Sequence, residues 1–102
     1  MNTIRISEDA LRSAANGSAL AEQILRLLDA GDHVEVDMAS VEAMTPSYAN
    51  ALVMTLLDRV PLEQLKVSCQ FTNRNAHVVN AMNTAANRYL SGIRLSSQMV
   101  TA

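Results

Sequence analysis

The sequence has few of the residues that support cross-linking or cofactor binding in small domains. Among its 102 residues there is one cysteine, Cys69, which excludes an internal disulfide and a cysteine-based metal cluster. Three glycines and no glycine-rich run exclude a phosphate-binding loop. Apolar runs are too short to span a bilayer, and the start "MNTIRISEDA" lacks the pattern of a signal peptide. We therefore expect a cytoplasmic protein with no cofactor and no membrane contact.

Basic charge is also scarce. Eight lysines and arginines against ten acidic residues give a formal net charge of −2, which argues against nucleic acid as a partner because phosphate backbones require a basic surface. Hydrophobic residues make up 49% of the chain, so a packed core is expected. The length fits one domain over residues 1–102, with 91–102 as a tail that could fray.

Hydrophobic periodicity divides the first half of the chain into strands and a helix. Alternation of apolar and polar residues predicts strands at Thr3–Ile6 and His33–Met38, with Ala10–Ser13 as an additional candidate. Between them lies a helix with an N-cap at Asn16 or Ser18 and an end at Gly31. Its apolar stripe consists of Leu20, Ile24, Leu27 and Leu28.

In the second half of the chain, helices again alternate with a strand. A helix begins near Pro46 and ends at Val60, because a residue before proline avoids the helical region. The run "LKVSCQF" (65–71) alternates cleanly and predicts a strand. Asn73 or Asn75 caps a last helix that Gly92 ends, and residues 93–95 could add a strand. The sequence predicts an α/β domain of about four mostly parallel strands and three main helices.

Two hydroxyl residues mark the start of the second helix, in "TPSYAN". Thr45 suits the N-cap, and Pro46 suits the first helical position because its missing N–H costs nothing there. Ser47 then lies in the first turn, where the helix dipole favours negative charge, including that of a phosphate. The simplest interpretation is that both hydroxyls only cap the helix. The sequence leaves open whether Ser47 is also modified.

The chain resembles the STAS domain of anti-sigma factor antagonists, and more closely the small bacterial STAS-like domain family. The resemblance spans nearly the whole chain, through the "TIRI" start, the helix that ends in "AGDHVEVDM", the junction at Thr45–Ser47 and "LKVSCQFTNRNAHVV". In that pattern a strand ends at an aspartate, here Asp37, and a loop with a buried valine, here Val41, leads to a helix that opens with a serine. Sporulation-type antagonists open this helix with Asp-Ser-Ser-Gly, and the second serine is phosphorylated. Here Ser47 matches the phosphoacceptor, but threonine and tyrosine replace the aspartate and the glycine.

The resemblance implies a non-catalytic regulatory domain that binds a protein. The implied partner is an anti-sigma factor or a histidine-kinase-like ATPase, and a homodimer is left open. Ser47 is the candidate phosphoacceptor. The candidate partner-binding residues are Asp37, Thr45, Ser47, Tyr48, Asn50, Asn80, Asn83 and Asn87.

The three asparagines of the last helix are candidates because of their spacing and not because of the family resemblance. They recur three and four residues apart on a face with little charge, and asparagine is a poor helix former, so the face could bind a partner. Ordinary polar surface is the simpler explanation. An alternative function is a small-ligand or anion sensor that uses the helix start at Thr45–Ser47. An enzyme using Ser47 or His77 is a third option, which no motif supports.

Overall fold

The computed structural model describes residues 2–101, with side-chain surroundings for residues 2–92. Within that range the chain alternates short strands with helices, in line with the predicted α/β class. The elements are β1 (Asn2–Arg5), β2 (Ala10–Leu11), α1 (Ala14–Asp29), β3 (Val34–Asp37), β4 (Ala43–Met44), α2 (Pro46–Arg59), α3 (Leu62–Ser68), β5 (Cys69–Thr72) and α4 (Ala76–Thr101). Five strands and four helices are thus one more of each than predicted.

The strands form two parallel sheets. The larger has the order β1-β3-β5, and Val34 of the central strand is paired with Asn2 on one side and Cys69 on the other. The smaller consists of β2 and β4, with Leu11 opposite Met44. The predicted parallel arrangement is confirmed, and Ala10–Leu11 confirms the additional strand candidate.

The larger sheet is covered by helices on one face only. Val34, Val36 and Met38 alternate into the core and are almost fully buried. On the other face, Glu35 and Asp37 are half-buried, and the neighbouring Thr3, Arg5 and Gln70 are exposed. Most parallel sheets are covered on both faces, so this sheet relies on polar side chains where a second helical layer would otherwise lie.

Helix α1 begins and ends at residues that differ in part from the prediction. Its N-cap is Ser13, whose hydroxyl accepts a hydrogen bond from the Asn16 N–H at 3.2 Å, so Asn16 and Ser18 lie inside the helix. Its end is as predicted. Gly31 adopts φ +86°, its N–H bonds to the Leu28 carbonyl, and the Asp32 N–H bonds to the Leu27 carbonyl. These two bonds form a Schellman motif, which requires the left-handed conformation that glycine adopts freely.

The predicted strand over 65–71 is wrong in its first half. Leu62–Ser68 form α3, and only Cys69–Thr72 form β5. Leu62 and Leu65 are one helical turn apart and pack on the core, whereas Val67 is 68% exposed, although the strand pattern had assigned it to the buried face. An apolar/polar alternation over only a few residues therefore does not distinguish a strand from a short helix.

Helix α4 begins where the sequence indicated and continues further. Asn75 is its cap, since its side-chain oxygen accepts from the Val78 N–H at 2.9 Å. Gly92 does not end the helix, which runs to Thr101, so the predicted ending and the candidate strand at 93–95 are both wrong. The hydroxyl of Tyr89 donates to Asp58 at 2.9 Å and ties α4 to the end of α2.

Gly17 sets how closely α1 and α2 approach. A Cβ at this position would lie 2.6 Å from the carbonyl oxygen of Tyr48 and 3.2 Å from the Cβ of Ala51. No side chain larger than hydrogen fits such a contact with helix backbone without a shift of one helix. The apolar stripe of α1 around Leu20 and Ile24, both buried, depends on this approach.

We expect Gly17→Ala to lower the free energy of unfolding by about 1–3 kcal/mol, the usual range for overpacking. Gly92→Ala is the matched control, because a Cβ there meets nothing within 4 Å and alanine is the better helix former. Urea denaturation of both variants measures the difference. A Gly17→Ala protein as stable as the wild type would contradict the close approach.

Candidate functional site

Thr45 is the N-cap of α2 and is also hydrogen-bonded to the segment that follows β2. Its backbone is extended, with φ −74° and ψ 156°, and its hydroxyl accepts from the Tyr48 N–H at 3.2 Å, which is the predicted N-cap bond. The same hydroxyl donates to the Arg12 carbonyl at 2.7 Å, and the Thr45 N–H donates to the Leu11 carbonyl at 2.9 Å. Thr45 therefore joins the start of α2 to the segment after β2.

The first turn of α2 has few amides left for an anion. Pro46 has no N–H, the Tyr48 N–H is bonded to the Thr45 hydroxyl, and the Ala49 N–H is bonded to the Thr45 carbonyl. Only the Ser47 amide remains among the first-turn donors. A free anion needs several converging N–H groups, so this arrangement weakens the sensor alternative.

Ser47 and Tyr48 have opposite surroundings. Ser47 is exposed at the second helical position, one residue after Pro46. Tyr48 is only 3% exposed and belongs to the core, where burial, with a smaller contribution from Glu8, raises its pKa to about 12. A partner can reach Ser47 directly, whereas Tyr48 is a packing residue in this conformation.

A groove of about 230 Å³ lies between the start of α2 and the outer face of α4. It brings together Asn50 and Asn80, two of the residues selected from the sequence. Its other lining residues are Met44, Pro46, His77, Ala81, Thr84, Ala85 and Arg88. No carboxylate lines it among the side chains that the structure describes. We call the exposed region formed by Ser47, Asn50, His77, Asn80 and Arg88 the junction surface.

The remaining asparagines do not meet there. Asn83 lines a different groove, on the opposite flank of the buried stripe of α4, and Asn87 is exposed and lines neither groove. Sequence reasoning gave His77 no role at this surface. The spacing 77, 80, 84 and 88 follows one helical face and could have shown it.

Asp37 is held at the carboxyl end of β3 by neighbours outside α2 and α4. Its Oδ1 accepts from the Ala39 N–H and from the Asn73 amide, each at 3.0 Å, and its Oδ2 lies 3.6 Å from Arg5 Nε. Chiefly because of the Asn73 bond, and also the Ala39 bond, the pKa of Asp37 lies below its usual value. Asn73 reaches it from a left-handed backbone, φ 59°, which asparagine tolerates better than most residues. Asp37 thus organises the strand ends.

Residues 16–79 match the family described as "STAS-like domain of unknown function (DUF4325)". The chain belongs to this STAS-like family. The resemblance drawn from the residues around Ser47 is therefore confirmed at the level of the family. Comparisons with curated proteins and with solved structures gave no match.

The match to the STAS-like family covers the sequence from early α1 to the first turn of α4. It includes Asp37, Thr45, Ser47, Asn50 and His77, while Asn80 and Arg88 of the junction surface follow it. Among residues 2–101 no helix is long and apolar enough to cross a bilayer.

Replacing Thr45 with alanine removes both hydrogen bonds of its hydroxyl, so we expect a loss of about 1–2 kcal/mol in the free energy of unfolding. Thr45→Ser keeps the hydroxyl and should recover most of the loss. Chemical denaturation of the three proteins makes the comparison. Equal midpoints for Thr45→Ala and the wild type would remove Thr45 from this structural role.

The lowered pKa of Asp37 predicts a pH-dependent contribution to stability. A carboxyl whose folded pKa lies below its unfolded value stabilises the fold above the unfolded pKa, and this contribution disappears as pH falls through the folded pKa. Asp37→Asn should therefore destabilise the protein at pH 7, and the difference from wild type should shrink below about pH 4. Urea midpoints between pH 7 and pH 2.5 test this, with the exposed Asp32→Asn as the control. A constant difference across that range would contradict the assignment.

Proposed function

We propose that the chain is a non-catalytic regulatory domain that binds a protein partner through the junction surface and is switched by phosphorylation of Ser47. The observation that carries the proposal is the exposed position of Ser47 in the first turn of α2, beside a groove shared with α4. Ser47 and Asn50 are one helical turn apart, and Asn50 lines the groove, so modification of Ser47 would alter the surface that a partner contacts.

The charge of the groove lining supports a switch by phosphorylation of Ser47. Among the described side chains that line the groove, Arg88 carries a positive charge and none is a carboxylate. A phosphoserine adds a charge of about −1.5 to −2, which reverses the local sign. The helix dipole favours that charge at the start of α2, so the fold accepts the modification while a partner suited to the unmodified surface is repelled.

The partner class follows from family resemblance. Anti-sigma factors and histidine-kinase-like ATPases are the partners of the STAS antagonists that the chain resembles, and we propose a partner of that type. The anion-sensor function is the second candidate. The occupied amides at Tyr48 and Ala49 make it the weaker of the two.

We expect Ser47→Asp to leave the melting temperature nearly unchanged and to weaken partner binding by roughly 1–3 kcal/mol, the loss typical of a central interface residue. The partner is first isolated by affinity capture on the wild-type protein, and its affinity is then measured by calorimetry. Ser47→Ala adds no charge and should bind nearly as well as the wild type.

A second control separates position from charge. Gln23 is exposed on α1, and Gln23→Glu adds the same charge at a site outside the junction surface. It should leave binding unchanged. Equal affinities of the wild type and Ser47→Asp for the partner would reject the switch, and failure of Ser47→Asp to fold would contradict the exposed position of Ser47.

A further inference from the structure

A second and larger groove opens between the C-terminal half of α2, helix α3, strand β5 and α4. Its volume is about 460 Å³, within the range of roughly 300–1,000 Å³ that is typical of small-molecule sites. Leu56, Leu65 and Met82 contribute buried apolar surface to its lining. Because it is formed by the opposite end of α2 from Ser47, it is separate from the junction surface.

The charged side chains that line this groove are both basic. Lys66 and Arg74 line it together with neutral polar residues, and among the side chains of residues 2–92 no carboxylate does. The salt bridges among the side chains of residues 2–92 are Arg5–Asp37 and Arg59–Glu22, which leave both groove cations without an acidic partner. The guanidinium Nη1 of Arg74 lies 3.8 Å from the Met82 sulfur, so the cation reaches directly over apolar surface.

We propose that this groove binds an amphiphilic anion, a ligand with a flexible hydrocarbon chain and one carboxylate or comparable anionic head. The hydrocarbon chain packs against Leu56, Leu65 and Met82. The head group meets Arg74, whose planar donors suit a carboxylate, with Lys66 adding a second positive charge. Pairing an apolar body with a charged head follows from the lining itself, since a purely apolar ligand would not use the two cations.

Cys69 also lines the groove and is consistent with a non-covalent ligand. Its side chain is buried, and burial raises the pKa of the thiol to about 11. Near neutral pH it is therefore a protonated, weakly polar group that packs like a hydrophobic residue. The groove accordingly holds a hydrocarbon chain without a reactive nucleophile beside it.

The test uses the full chain and three probes with a ten-carbon chain, each below its aggregation concentration: decanoate, decanol and decyltrimethylammonium. Methyl NMR of Leu65 and Met82 follows each titration. We expect decanoate to shift these signals saturably and to bind at least about fivefold more tightly than the cationic probe, since a partly exposed charge pair contributes modestly. Dodecanoate should bind up to about tenfold more tightly than decanoate while added methylenes remain buried.

Variants test the role of charge at the rim. Lys66→Gln combined with Arg74→Gln should weaken decanoate binding about three- to tenfold and leave decanol binding unchanged. Arg26→Gln is the matched control, because Arg26 is an exposed cation of α1 that lines neither groove. It should leave decanoate binding unchanged.

Three results would overturn the proposal. The first is the absence of methyl shifts with decanoate, and the second is equal affinity for decanoate and decyltrimethylammonium. The third is a set of methyl shifts that follow protein concentration together with a dimer in sedimentation, because a second copy of the chain would then occupy the groove.

Discussion

The contact between α1 and α2 at Gly17 is the constraint on which the rest of the structure depends. The glycine lies against the Tyr48 carbonyl, that is, against the first turns of α2. Because the helices meet there, the segment before α1 passes close to the start of α2, and the Thr45 hydroxyl can bond to the Arg12 carbonyl. One residue without a side chain thus allows the start of α2 to lie close to α1 and to the segment before it.

The two hydroxyls at the start of α2 therefore have different roles. Thr45 uses its oxygen as both donor and acceptor within the fold. Ser47, two residues later, is exposed and adjacent to a groove whose described lining carries the positive charge of Arg88. A modification at Ser47 can thus change the surface without removing a bond that the fold needs. This separation suits a regulatory domain, in which the modified residue has to differ from the residues that stabilise the fold.

Elements with strong local signals could be predicted from the sequence. The central strand and α2 followed from clear periodicity, and the proline after Val60 fixed the end of the helix. The start of α1 could not, because Gly17 looks like a helix breaker until its tertiary contact is known. The run over 65–71 could be assigned to a strand or a helix on periodicity alone, and packing of Leu62 and Leu65 decided in favour of a helix for its first half.

Helix geometry explains why the candidate site could be predicted only in part. Residues on a helix turn by about 100° each, so Asn83 points roughly 60° to one side of Asn80 while Thr84 points about 40° to the other. Spacing showed that the asparagines share a broad face, but only the packing of α4 on α2 determined which of them border the same groove. The apolar groove beside β5 depends on α3, and the sequence pattern had predicted a strand in place of that helix.

The strand order has a consequence for how the chain folds. Central β3 pairs with β1 before it and β5 after it, and the paired residues Asn2, Val34 and Cys69 are each more than 30 positions apart. Neither pairing can form as a local hairpin, so each must close a long loop of chain and lose its entropy before the sheet is complete. Folding should therefore follow the slower kinetics of mixed α/β domains, with the helices providing the early local structure and the sheet assembling late around its middle strand.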